Sequence, residues 1–80
     1  MDLIKRYNAI FCETFNVNEE KLSENFSKDT VDNWESITQL SLVTSFEDEF
    51  DLMFEPEEII EFTSYTKGKN ILAKYNIVIL

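Results

Sequence analysis

Trp34-Glu35-Ser36-Ile37-Thr38-Gln39-Leu40, continuing to Phe46-Glu47-Asp48-Glu49-Phe50, is the stretch whose reading decides the fold. From Ser36 onward the apolar residues Ile37, Leu40, Val43, Phe46 and Phe50 recur at spacings of three and four, which predicts an amphipathic helix from about Ser36 to Phe50. Asp32, Asn33 and Trp34 before it read as loop. Ser36 therefore stands where loop turns into helix, beside backbone N–H groups without intrahelical partners and the positive end of the helix dipole. Two readings of that serine follow. As an N-cap it would accept a backbone N–H and stabilise the helix by about 1 kcal/mol. As a modified residue it would carry a phosphodiester, because a helix N-terminus stabilises phosphate with the same N–H groups.

The flanking pattern bears on the choice. Trp34-Glu35-Ser36-Ile37, the apolar helix, the acidic run Phe46-Glu47-Asp48-Glu49-Phe50 and then Phe54-Glu55-Pro56-Glu57-Glu58-Ile59 together resemble the acyl carrier proteins over nearly the whole chain. In that family the usual core is Asp-Ser-Leu, and the serine is esterified with 4′-phosphopantetheine, whose thiol holds acyl groups as thioesters. Here the triplet is Glu-Ser-Ile, an acid before and a branched aliphatic after. The resemblance implies an all-α bundle of three main helices plus one short one, with a long loop between the first two and Ser36 as the attachment site. It also implies loading by a phosphopantetheinyl transferase using CoA and magnesium, and no catalysis by the chain itself. Partners would be acyl-transferring or acyl-modifying enzymes whose Arg and Lys meet the carrier's acids. The recognition residues so implied are Glu35, Ile37, Glu47, Asp48, Glu55 and Glu57. The first turns carry Thr38 and Ser41 where the best-known relatives carry acids, so partner choice is expected to differ from that of a general fatty-acid carrier. Aminoacyl and peptidyl carriers are the nearest competitors, although glycine and histidine, frequent before their serine, are absent here.

Eighty residues make one domain, near the size at which a single core is marginal. With 44% hydrophobic and 14% aromatic residues the chain is apolar enough to fold despite a net charge of −9. All seven basic residues lie outside the interval from Asp29 to Thr66, which holds eleven of the sixteen acids. Nucleic acid is disfavoured as a partner, since phosphate binding needs clustered Lys and Arg. Basic protein surfaces are favoured, through a field that salt screens. The plainer reading of the acids is that they keep a small monomeric protein in solution.

Cys12 is alone, so no internal disulfide forms and a reducing cytoplasm is the natural location. The absence of histidine removes Ser-His-Asp chemistry and the common zinc sites. The acids from Asp48 to Glu58 lack the alternating ligands and central glycine of a calcium loop. No apolar run approaches the roughly 20 residues of a membrane span, and no signal peptide is evident.

In chain order, residues 2–15 read as a first helix with the stripe Leu3, Ile4, Tyr7, Ile10, Phe11 and Phe15. From Asn16 to Glu35 the pattern loosens; Leu22 and Phe26 are expected to share a helical turn and, with Val31, to pin this segment to the bundle. Trp34 is expected to be partly buried beside Ser36. Asp51 is expected to tolerate a left-handed helix end, and Met53 and Phe54 to return the chain to the core. Pro56 opens a short third helix with Ile59, Ile60 and Phe62 as its apolar part. Thr63 or Ser64 starts a fourth that runs through Tyr75, in which Gly68 implies either close packing or a loosened turn. Asn76 is a candidate cap. The tail Ile77-Val78-Ile79-Leu80 either folds back on the bundle or forms an exposed contact patch, and exposed it would be prone to aggregate.

An unmodified acidic helical module binding a basic protein is the competing function. It shares the acidic surface and lacks the arm.

Overall fold

A computed structural model describes residues 2–79 as four α-helices with no strand among them: α1 (Leu3–Phe15), α2 (Ser36–Phe50), α3 (Pro56–Glu61) and α4 (Tyr65–Ala73). The radius of gyration is 11.4 Å, close to the roughly 11.6 Å expected of a compact chain of this length.

The core is built around α1. Phe11 is fully buried, and seven other aromatic rings have centroids 5.2 to 6.3 Å from its own. Tyr7, Ile10 and Phe15 complete the buried face, while Leu3 at the N-terminal end stays partly exposed. The helix ends at Asn16 in the left-handed region (φ 56°), one of the few side chains that adopts it at little cost, and Val17 N–H bonds back to Cys12 C=O at 3.1 Å.

The segment between α1 and α2 is long but not loose. A 3₁₀ turn occupies Glu19–Lys21. Leu22 leaves it in an extended conformation, so it does not share a helical turn with Phe26; each packs on the core separately. Phe26 and Trp34 are both buried, Trp34 at 3% exposure and thus more deeply than its sequence position implied. An isolated antiparallel bridge between Ser27 and Ser64 ties this segment to the α3–α4 junction, through Lys28 N–H to Thr63 C=O and Tyr65 N–H to Phe26 C=O, both 2.9 Å.

Helix α2 has the expected span and a different buried face. Leu42, Val43 and Phe46 are buried, but Ile37 is 84% and Leu40 59% exposed. The reason is geometric. At about 100° per residue a step of three falls roughly 60° short of a full turn, so three such steps from Ile37 to Phe46 carry the side chain to the opposite side of the helix. The inward face runs instead through Gln39, Leu42, Val43, Phe46 and Phe50.

Asp51 ends α2 with φ 52°, and Leu52 N–H bonds to Glu47 C=O at 3.1 Å. Phe54 re-enters the core as expected, whereas Met53 is 81% exposed. In α3 the buried side chain is Glu58, with Ile59 half-buried, Ile60 exposed and Phe62 buried just beyond the helix end. The Glu58 carboxylate accepts Glu55 N–H at 2.8 Å, as the acid three residues into a capping box does, and also accepts the Tyr75 hydroxyl. Ser64 caps α4 by accepting Lys67 N–H at 2.9 Å.

Gly68 is explained by close packing. A Cβ there would run into the Tyr7 hydroxyl and lie 2.6 Å from Phe62 Cζ, so α4 reaches α1 only because the side chain is missing. The helix stops at Ala73, before the expected Tyr75, in a turn closed by left-handed Asn76 (φ 65°) and a 3.1 Å bond from Ile77 N–H to Leu72 C=O. The tail then folds back: Ile79 is buried and Ile77 half-buried, with Val78 exposed between them. The expectation for Leu80 lies outside the described residues. No described helix is long and apolar enough to cross a membrane.

Candidate site at the start of helix α2

The chain enters α2 through Glu35, whose backbone is extended (φ −108°, ψ 174°) and whose side chain makes no capping hydrogen bond. The cap position thus belongs to Glu35, and Ser36 is the first helical residue. The reading of Ser36 as an N-cap is overturned by one position. The first intrahelical bond is Gln39 N–H to Glu35 C=O at 2.8 Å, which leaves the N–H groups of Ser36, Ile37 and Thr38 ahead of the ladder. Ser36 itself is exposed.

Its position is fixed from beneath. Trp34, two residues upstream, is locked among Phe11, Phe15 and Phe26, and its indole N–H donates to Gln39 Oε1 at 3.2 Å. Gln39 in turn donates through Nε2 to Ile59 C=O at 2.7 Å, filling an acceptor near the C-terminal end of α3. One amide side chain therefore couples the entering loop, α2 and α3. Sequence reasoning passed over Gln39, yet the spacing 39, 43, 46, 50 contained it: a glutamine on the inward face needs a polar partner, and two are supplied.

Ser36 opens onto a groove of about 350 Å³ between α2 and α3, lined by Lys28, Ser36, Gln39, Leu40, Ile59 and Ile60. Leu40, Ile59 and Ile60 make its aliphatic wall, and Ser36, Gln39 and Lys28 are its polar members. Lys28 is its one cation, brought there by the bridge of Ser27 with Ser64, so the acidic surroundings read from the sequence are locally broken.

The other sequence-derived residues separate into groups. Glu35 and Ile37 flank Ser36 and are exposed, free to meet a partner. Asp48 is exposed at the far end of α2, about 18 Å along the axis from Ser36 at 1.5 Å per residue. Glu55 and Glu57 are exposed at the start of α3. Glu47 is different: it is half-buried, and its carboxylate accepts Phe54 N–H at 2.9 Å, holding the α2–α3 loop. Reversing its charge would disturb that loop, so it is not a neutral probe of recognition. Glu49 is also engaged, in an ion pair with Arg6 at 2.7 Å, while the Arg6 guanidinium sits 4.7 Å from the Phe50 ring centroid.

Away from this end, burial pushes the Cys12 thiol above its ordinary pKa and nearby Glu19 adds to the effect, so the thiolate is scarce. Among the described residues no group of three His, Cys, Asp or Glu side chains is arranged to hold a metal ion. No protein-family model matches the chain, and no curated protein is significantly similar to it.

Proposed function

We propose that the protein is an acyl carrier, with 4′-phosphopantetheine esterified to Ser36 and acyl intermediates held as thioesters on the arm. The observation that carries this reading is an exposed serine in the first turn of α2, one residue past the cap position and opening onto a groove with a wall of Leu40, Ile59 and Ile60. The resemblance of Glu35-Ser36-Ile37 and its flanks to the carrier family supports it independently of the geometry. Attachment requires Ser36 Oγ to lose its proton and attack the pantetheine-side phosphorus of CoA. The O–P bond forms as the pyrophosphate bond breaks, releasing the nucleotide half of CoA. A phosphopantetheinyl transferase with magnesium supplies that chemistry, and the carrier supplies a reachable hydroxyl on a rigid base. Acyl-modifying enzymes would then dock through Glu35, Ile37 and the exposed acids of α3. A reducing compartment such as the cytoplasm is the location that suits a carrier with a single free cysteine.

Incubation with CoA and a broad-specificity phosphopantetheinyl transferase, read by intact mass, tests the reading. The expected result is addition of one phosphopantetheinyl group to the wild type and none to Ser36→Ala. No addition under conditions that load a control carrier leaves the unmodified acidic binding module as the function.

A further inference from the structure

Seven cations serve a chain of net charge −9, and their placement is uneven. Arg6 is held by Glu49, and Lys69 lies over the Tyr65 ring at 4.6 Å. Lys28 is the one that lines the groove opening at Ser36. Among the described residues no carboxylate lies within ion-pair distance of it. Its main chain is pinned by the 2.9 Å bond from its N–H to Thr63 C=O, so the base of the side chain is anchored at the α3–α4 junction, away from α2. A cation without an internal partner thus shares a groove with the proposed attachment oxygen.

We infer that Lys28 is a positioning residue of the Ser36 site: its ammonium pairs with the phosphodiester of an arm carried on Ser36 and turns that arm along the α2–α3 groove. The inference rests on the carrier reading above and adds to it a direction for the arm. A phosphodiester bears a negative charge at every ordinary pH. Lys28 and Ser36 are both exposed at this groove, so the ammonium can meet a phosphate held on Ser36 through an attraction that water partly shields. The aliphatic wall of Leu40, Ile59 and Ile60 suits the methyl and methylene groups that follow the phosphate. Being an interaction at a solvent-open groove, it weakens with salt as the Debye length falls to ~8 Å at physiological ionic strength and below this at higher salt.

The test uses the full chain loaded enzymatically with isotope-labelled phosphopantetheine, with loading read by intact mass and arm contacts by NMR. At low salt the wild type is expected to show contacts between the arm's methyl groups and those of Leu40 and Ile60. These contacts fall several-fold in Lys28→Gln, persist in Lys28→Arg and weaken in high salt. Folding is unaffected, because only the backbone of Lys28 takes part in internal hydrogen bonds; unchanged circular dichroism checks this. Contacts that are absent from the loaded wild type, or unchanged in Lys28→Gln, overturn the assignment of Lys28 while leaving the carrier intact. Failure of Ser36 to load overturns both.

Discussion

The two sides of α2 carry similar residues and meet opposite fates. On one, Leu42, Val43 and Phe46 are sealed against α1 with exposures of 0 to 1%. On the other, Ile37 and Leu40 face outward, and Leu40 lines a groove together with the exposed Ile60 of α3. Composition does not distinguish them; the presence of a covering element does. The buried side is complementary to the rings of Tyr7 and Phe11, with Phe46 centroids 5.1 and 5.7 Å away. The open side borders the groove at Ser36, where covering would obstruct the hydroxyl. The lesson is that one face of the helix is committed to the core and the opposite face is left uncovered, so mutations on the two faces should have separable effects.

The sharpest break of that contrast is at Phe11. Phe11→Ala should cost about 3–5 kcal/mol, enough to unfold a large fraction of a domain this small, as urea denaturation would show. Gly68→Ala comes next. Helix propensity would favour alanine by about 1 kcal/mol, but the clash with Phe62 and Tyr7 should outweigh it, for a net loss of roughly 1–2 kcal/mol. A rise in melting temperature instead would mean that the α1–α4 contact yields easily.

A smaller effect is expected where α3 meets the end of α4. Burial is the largest influence on Glu58 and opposes ionisation, but the Tyr75 hydroxyl, Glu55 N–H and Lys74 together hold its carboxyl below the ordinary range. The hydrogen bond to Glu58, then burial, push Tyr75 up to about 12. The signs follow by linkage. The Glu58 contribution is complete above its unfolded pKa of about 4.3 and is lost as pH falls through the lower folded value. The Tyr75 contribution is complete below about 10 and is lost as pH rises through about 12. Tyr75→Phe should therefore flatten the stability profile at both ends, as denaturant midpoints across pH would record. Tyrosine absorbance titrating entirely near its ordinary pKa would remove the bond.

The smallest change in stability is predicted on the open face. Leu40→Ser should stay within about 0.5 kcal/mol of wild type, whereas the same substitution at Leu42 should cost several times more. Equal costs would mean that the outer face is covered in solution.

Much of the scaffold was legible in the residues. The spans of α1 and α2, Pro56 at the start of α3, Ser64 at the start of α4 and a left-handed Asp51 are local matters of periodicity, caps and backbone preference. The geometry around the candidate serine was legible only in part. Glu35, Ser36 and Ile37 were found together because they are adjacent, and Gln39 was missed because its partners, Trp34 and Ile59, come from separate elements. Glu47 resembled a surface acid until the loop folded back to give it Phe54 N–H.

By itself the sequence determined a helical chain, acidic across its middle, with a serine at the second helix's entrance. Those properties depend on neighbours three or four residues apart. Only the tertiary structure decided which side of α2 is covered, that Glu58 is buried and Met53 is not, and that Lys28 reaches the groove of Ser36. Each of these requires contacts between distant segments, where the direction of a side chain around its helix counts for more than its polarity.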